Sequence, residues 1–218
     1  MSSILNKKIL ITAGPTHEPI DPVRFIGNRS SGKMGYALAE ELADRGAKIF
    51  LVSGPVNIST TNENIELIKV NTAEEMYLAC HKYFKEMDIA ILAAAVADFT
   101  IKNPAKQKIK KKSDSNEMVL TLIKTKDILK SLGKIKTDRQ TLVGFALETN
   151  NEEVNALKKL KAKNLDFIVL NSLQDKGAGF AHDTNKITIL DNNNNIYNFE
   201  LKSKLDVAKD IANHLENY

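Results

Sequence analysis

The sequence predicts an α/β fold, in which a Rossmann-like, mainly parallel sheet is flanked by helices. Short β-branched apolar runs alternate with amphipathic helical patterns along the chain. The length of 218 residues suits one domain spanning residues 1–218, and 43% hydrophobic with 27% charged residues is typical of a soluble globular protein. No apolar stretch approaches the roughly 18 residues of a membrane-spanning helix, so we expect a cytoplasmic protein without membrane contact.

Five apolar runs predict the strands of this sheet: residues 8–13, residues 47–53, and the runs that start at Asp88, Thr141 and Asp166. The run from Asp88 (DIAILAAAVADF) is the most apolar in the chain. We therefore expect it to be a central strand whose functional end lies near Asp98.

Four helical patterns separate or follow these runs: from Gly32 to Gly46, from Thr72 to Met87, from Glu152 to Lys163, and from Ser203 onward. Thr72 and Glu75 have the spacing of a capping box. Cys80, the only cysteine, falls on the apolar stripe of the second helix, which indicates core packing and excludes an internal disulfide. In the last helix we expect Leu205 to face inward.

Two segments interrupt the alternation and predict antiparallel hairpins. Residues 186–201 form one around the turn at residues 192–195. Residues 117–123 form an arm of the other, and the second arm is expected to include a run of six lysines between Lys102 and Lys112. This run contains no acid and no aromatic residue for base stacking. It is therefore either a solvated loop or a site for a small phosphorylated ligand, and not a nucleic-acid site.

The segment GNRSSGK, residues 27–33, matches the glycine and lysine positions of a P-loop. A P-loop needs Ser or Thr where Met34 stands, which argues against a nucleotide hydrolase. A dinucleotide oxidoreductase is also disfavoured, because LVSGPVN after the second strand has no carboxylate for a ribose. Two alternatives remain: an anion site at Ser30, Ser31 and Gly32, or an ordinary N-cap at Ser31.

The segment from Gly14, GPTHEPIDPVRFIGNRSSGKMGYALA, resembles the opening of phosphopantothenoylcysteine synthetases. LVSGPV, AAAVADF, KIKKK, DIL, GFALETN and KLKAKNLDFIVLN follow in the order and spacing of that family. The resemblance covers essentially the whole chain. It departs from the family at Gly27, Lys126 and Leu147, none of which removes a polar catalytic group.

The resemblance implies a ligase of coenzyme A biosynthesis that joins (R)-4'-phosphopantothenate to L-cysteine. The reaction would pass through an acyl-cytidylate formed from CTP and release CMP and pyrophosphate, with Mg²⁺ or another divalent cation as cofactor. It also implies a homodimer with shared active sites and a separate flavin-dependent decarboxylase in the pathway. The alternative is a catalytically idle Rossmann-like module that binds phosphorylated metabolites or nucleotides.

The resemblance also implies roles for individual residues. Asn28 would hold the activated intermediate, Lys108 would act on the triphosphate, and Arg24 would reach the substrate phosphate from the partner subunit. Residues implied for substrate binding are Arg24, Asn28, Ala94, Ala95 and Asp98. Residues implied for nucleotide binding are Ser30, Ser31, Gly32, Asp98, Lys108, Lys126, Asp127, Ile128, Leu129, Phe145, Lys159 and Lys163. Residues 100–123 would form a flap linked to dimerisation. The metal ligands are unknown, because no carboxylate pair has a spacing that indicates them.

Overall fold

The computed structural model describes residues 3–110, 117–148, 150–172 and 183–218. Its elements follow the chain as β1 (Lys8–Ala13), β2 (His17–Pro19), β3 (Phe25–Gly27), α1 (Lys33–Asp44), β4 (Lys48–Ser53), β5 (Ile65–Lys69), α2 (Ala73–Phe84), β6 (Ile89–Leu92), β7 (Phe99–Ile101), β8 (Leu122–Lys124), α3 (Ile128–Ile135), β9 (Thr141–Glu148), α4 (Glu152–Ala162), β10 (Phe167–Ser172), β11 (Thr184–Asn185), β12 (Ile187–Asp191), β13 (Ile196–Asn198), β14 (Lys202–Ser203) and α5 (Lys204–Asn217).

An eight-stranded sheet forms the centre, in the order β13-β12-β10-β9-β6-β1-β4-β5. The six strands from β10 to β5 in that order pair in parallel. Strands β12 and β13 are antiparallel and extend the sheet at one edge. The α/β, mainly parallel fold predicted from the sequence is therefore confirmed.

Helices cover both faces of this sheet because the buried strands carry apolar side chains on both sides. Ile9 and Ile11 of β1 belong to the core cluster that includes the buried faces of α1 and α5. Leu10, between them, belongs to the cluster that includes α2, α3 and α4. The period-two alternation of a strand thus divides the core into two layers.

A topological switch point lies between β1 and β6. From β1 the chain crosses to β4 on one side, whereas β6 pairs with β1 on the other. The segments that follow these two strands meet at a parallel bridge between Pro15 and Ala95. The Thr12 hydroxyl accepts a hydrogen bond from the Ala94 amide at 3.1 Å. In open α/β sheets, a crevice at such a point is where ligands bind.

Three sequence-based expectations about the elements are wrong. Strand β6 ends at Leu92 and not near Asp98, because the chain leaves the sheet to form the bridge with Pro15. Strand β8 pairs with β7 (Phe99–Ile101), so the second arm of this hairpin lies before the lysine run, which starts at Lys102. Residues 111 and 112 of the run lie outside the described residues. Leu205 is exposed, since Val207 and Ala208 provide the inward face of α5.

Other expectations are confirmed. Thr72 and Glu75 form the capping box of α2. The turn of residues 192–195 joins β12 to β13 as a hairpin. Cys80 is buried, and burial raises the pKa of its thiol to about 12, which suits core packing. In the part of the chain that is described, no helix has the length and apolar character needed to cross a bilayer.

Candidate functional site

Two neighbouring cavities open at the carboxyl ends of β1, β6 and β9. The larger, which we call the α3 cavity, has a volume of ≈ 750 Å³. The smaller, the α1 cavity, has a volume of ≈ 140 Å³ and is lined by the first residues of α1. Ala94, Ala95, Phe145 and Leu147 line both. A ligand that fills both cavities would therefore pass the end of β6.

Most of the residues implied by the resemblance lie in these cavities. The α3 cavity is lined by Asn28, Ala94, Ala95, Asp98, Lys126, Asp127, Ile128, Leu129, Phe145 and Lys163. The α1 cavity is lined by Ser30, Ser31 and Gly32. The loop of residues 28–32 thus contributes to both cavities.

Asn28 connects the loop between β3 and α1 to the loop that follows β6. Its amide nitrogen donates to the backbone oxygen of Ala95 at 2.8 Å and to that of Val96 at 3.3 Å. The side chain is largely exposed to the α3 cavity. A ligand in that cavity would meet this amide, which is already oriented by the two carbonyls.

The N-terminus of α1 is suited to an anion. Gly32 is the N-cap, with φ 79° and no side-chain cap bond, so the expectation of an N-cap at Ser31 is wrong. A Cβ on Gly35 would stand 2.6 Å from the Cβ of Ala13, so glycine lets α1 pack closely on β1. Because no side chain caps the helix, amide hydrogens of the first turn and the positive end of the dipole face the α1 cavity.

An ion pair spans one wall of the α3 cavity. The N-cap of α3 is Asp127, whose carboxylate accepts from the Lys130 amide at 2.9 Å. Lys163, at the C-terminus of α4, approaches the same carboxylate at 3.0 Å. Lys126 donates a hydrogen bond at 2.6 Å to Glu74 of α2, and this bond raises the pKa of Lys126. Lys124, Lys126 and Lys163 all line the α3 cavity, and the last two are each paired with a carboxylate.

Three residues implied by the resemblance do not line either cavity in this chain: Arg24, Lys108 and Lys159. Arg24 binds the carboxylate of Asp21 and donates to the Ile109 oxygen at 3.1 Å. The Ile109 amide donates to Asp21 at 3.1 Å. The Arg24 guanidinium holds the pKa of Asp21 well below its usual range. This cluster anchors the backbone next to Lys108, which is exposed.

Sequence reasoning missed four polar residues of the α1 cavity: Lys33, Asn171, Asn185 and Lys204. Asn185 donates to the Asn171 side-chain oxygen at 3.0 Å, while its own oxygen is buried and has no hydrogen-bond partner among the described residues. Lys204 is only 8% exposed, and burial followed by repulsion from Lys33 lowers its pKa. The one available signal was the position of Asn171 at the end of an apolar run.

The carboxylates of the α3 cavity fit a magnesium site in which substrate phosphates supply most of the ligand oxygens. Within the described ranges no group of three His, Cys, Asp or Glu side chains could hold a metal by itself. The α3 cavity does carry two carboxylates, Asp98 and Asp127. Mg²⁺ usually takes one or two carboxylates together with substrate phosphates, and Asp98 is the carboxylate that would serve it here.

Comparisons with known proteins agree on one family. The model of the DNA/pantothenate metabolism flavoprotein C-terminal domain matches residues 4–218. The chain is 57% identical over 205 residues to a cysteine/cysteine sulfinic acid decarboxylase from an unidentified prokaryote. The aligned region covers 94% of this chain and 56% of that relative. It is also 47% identical over 209 residues to the coenzyme A biosynthesis bifunctional protein CoaBC of Bacillus subtilis strain 168. That aligned region covers 96% of this chain and 51% of the relative.

The chain thus spans about half the length of these relatives, 56% and 51%. A crystal structure of the C-terminal domain of a coenzyme A biosynthesis bifunctional protein CoaBC superposes with a TM-score of 0.81 and 40% identity. That comparison covers 98% of this chain and 97% of the other. The similarity therefore extends over nearly the whole of this chain.

Proposed function

Because the chain belongs to the family of the DNA/pantothenate metabolism flavoprotein C-terminal domain, we propose that it is a ligase that joins 4'-phosphopantothenate to L-cysteine with CTP. The observation that carries this proposal is the pair of adjoining cavities, which share Ala94, Ala95 and Phe145 at the switch point. The 40% identity to a CoaBC C-terminal domain supports a place in coenzyme A biosynthesis.

The first step activates the substrate carboxylate. One carboxylate oxygen of phosphopantothenate attacks the α-phosphorus of CTP, the bond to the bridging oxygen breaks, and pyrophosphate leaves with the electron pair. The α3 cavity of ≈ 750 Å³ has room for the nucleotide, with residues 126–129 and Phe145 beside the base. Asn28 would donate to the activated acyl group by exchanging one of the hydrogen bonds that its amide nitrogen gives to the Ala95 and Val96 carbonyls.

The second step forms the amide. The amine of cysteine attacks the acyl carbon, the acyl C–O bond breaks, CMP leaves with the electron pair, and the amine gives one proton to water. This chemistry needs no protein nucleophile. Cys80, whose thiol is buried with a pKa raised to about 12, is excluded as one.

Cations and amide hydrogens supply the electrostatic stabilisation that both steps require. Lys163 lies at the wall of the α3 cavity. Ser30, Ser31 and Gly32 are proposed to contact the phosphates from the 28–32 loop, and Lys159 from α4. Magnesium bound to the triphosphate would neutralise charge at the phosphates, and we propose Asp98, a carboxylate of the α3 cavity, as its protein ligand.

A dimer would bring the remaining residues to the site. The β2–β3 and β7–β8 hairpins expose five apolar side chains: Val23, Phe25, Phe99, Leu122 and Ile123. A patch of this kind is typical of an interface. Arg24 lies in the same region and outside the cavities of its own chain, which supports the proposal that it serves a partner's site together with the flap that carries Lys108.

A pyrophosphate-release assay with phosphopantothenate, nucleotide and cysteine tests the assignment. We expect release that depends on phosphopantothenate and a higher kcat/KM with CTP than with ATP, because the KLKAK helix and GFALETN resemble the CTP-using type. Equal or better turnover with ATP would contradict the choice of CTP. Binding of both ligands without pyrophosphate release would instead identify an idle binding module.

A further inference from the structure

We propose that Glu18 is a positioning residue for the hairpin that carries substrate-binding groups. Its carboxylate joins β2 to the first turn of α2. The β2–β3 hairpin carries Arg24 in its connecting loop and leads directly into Asn28. Glu18 lines neither cavity, so it would act through these two residues and not on the substrate itself. The inference rests on the proposed ligase function, because it concerns how the residues assigned to phosphopantothenate are held.

Glu18 is a buried carboxylate at the N-terminus of a helix. It is 2% exposed, and its Oε1 accepts a hydrogen bond from the Ala73 amide at 2.8 Å. Ala73 is the first residue of α2, so its amide has no acceptor within the helix. The capping box of Thr72 and Glu75 serves other amides. Glu18 therefore satisfies a donor that the helix leaves open, and the helix dipole stabilises the buried charge in return.

Three consecutive residues tie the start of the hairpin to other segments. The Thr16 hydroxyl accepts from the Ala97 amide at 3.0 Å, in the loop after β6. The His17 amide donates to the Asn71 oxygen at 2.8 Å, just before α2. The third contact, that of Glu18, is made by a side chain of β2 itself. One substitution therefore removes it and leaves the backbone bond of His17 in place.

Hydrogen bonds within the hairpin would carry a displacement of β2 to the substrate-binding groups. Strands β2 and β3 pair in antiparallel register. In the connecting loop, the Asp21 carboxylate accepts from the Val23 and Arg24 amides at 2.9 Å each. The Arg24 guanidinium pairs with the same carboxylate. A shift of β2 at Glu18 should therefore move Arg24 and, through β3, Asn28.

The residues proposed to bind the nucleotide are held by separate contacts. Asp127, the N-cap of α3, bonds its own helix and pairs with Lys163 at the end of α4. Close packing of Gly35 on Ala13 fixes the start of α1 against β1. Loss of the Glu18 bond should therefore displace the hairpin more than the nucleotide-binding residues. The expected effect is selective for phosphopantothenate.

The test compares two losses at the same helix end. Glu18→Met removes the acceptor and keeps an unbranched side chain, whereas Thr72→Ala removes the N-cap of α2 without touching the hairpin. Both should lower the melting temperature. We expect Glu18→Met, and not Thr72→Ala, to raise the KM for phosphopantothenate in pyrophosphate release at saturating CTP by about 10- to 100-fold, the size of effect that a small misplacement has. The KM for CTP should change less.

The conservative variant Glu18→Gln provides a rescue. Its amide oxygen can still accept from the Ala73 amide, so its KM for phosphopantothenate should lie near that of the wild-type protein. A Glu18→Gln protein as impaired as Glu18→Met would reject the Ala73 hydrogen bond as the anchor. Equal KM values for phosphopantothenate in Glu18→Met and Thr72→Ala would overturn the proposal, because Glu18 would then affect only the stability of α2. An equal rise in both KM values of Glu18→Met would also overturn it.

If Glu18→Met fails to fold, hydrogen exchange of the wild-type protein gives the second measurement. Phosphopantothenate at about ten times its Kd should slow exchange of the Ala73 amide roughly tenfold, because opening of this bond releases the hairpin that binds the ligand. The Glu75 amide, which bonds Thr72, should change less. Equal slowing at both amides, or none, rejects the proposal. A wild-type protein that neither binds phosphopantothenate nor releases pyrophosphate would instead contradict the ligase function, which is a distinct result.

Discussion

The side-chain nitrogen of Asn28 lies 2.8 Å from the backbone oxygen of Ala95, and this hydrogen bond joins the loop between β3 and α1 to the loop after β6. The two loops border the switch point, and Ala95 lines both cavities. Asn28 is thereby oriented by the fold itself before any ligand binds. A group held in this way loses little entropy when it meets a substrate.

We expect Asn28→Ala to lower pyrophosphate release in a single turnover by about 10- to 100-fold, since a hydrogen bond to a charged ligand contributes about 1.5–3 kcal/mol. The melting temperature should hardly change, because the residue is exposed. Asn62→Ala is the control: it removes side-chain bonds to Glu40 and Asp44 away from both cavities. Equal activity of the two variants would contradict a substrate role for Asn28.

The shared-site proposal for Arg24 and Asn28 predicts complementation between inactive proteins. Arg24→Ala and Asn28→Ala homodimers are mixed under conditions that allow subunit exchange. Random exchange makes about half of the dimers mixed, each with one intact site, so activity should return to about a quarter of wild type. Activity that stays at the level of the single variants, despite verified exchange, would show that both residues serve the same subunit's site.

Lys108→Gln tests whether the lysine run acts on the nucleotide. Loss of one electrostatic contact to the transition state typically costs about 10²- to 10³-fold in kcat. We therefore expect pyrophosphate release without cysteine to slow by that factor. Lys106→Gln, two residues earlier in the same exposed run, is the matched control and should keep the normal rate. A normal burst in both variants would make Lys108 part of a solvated loop.

Asp21 predicts a pH-dependent contribution to stability. Its pKa is lowered in the folded protein, first by the Arg24 hydrogen bond and then by the amides of Ile109, Val23 and Arg24. Such a carboxylate stabilises the fold above its unfolded pKa of about 3.9 and loses that contribution as the pH falls toward its folded value. Asp21→Asn should therefore lower the melting temperature at pH 7 and have less effect at pH 3. An equal difference at both pH values would contradict this prediction.

The sequence by itself determined the order and type of most of the main elements, but it did not predict strand β5 or helix α3. Apolar runs such as that of β1, and the capping box of Thr72 and Glu75, depend on local chemistry that a sequence displays directly. The loop of residues 28–32 was also identified, because small residues before a helix indicate an anion site in any fold. The resemblance then indicated most residues of the α3 cavity.

Only the tertiary structure decided which distant segments meet. Periodicity shows that a face is buried but not what covers it, so the sequence could not place Lys204 of α5 beside the first turn of α1. It also could not show that β6 ends at Leu92, since the bridge between Pro15 and Ala95 joins residues from two separate loops. Arg24 and Lys108 lie outside the cavities of their own chain for the same reason: long-range packing sets their positions, and local sequence does not encode it.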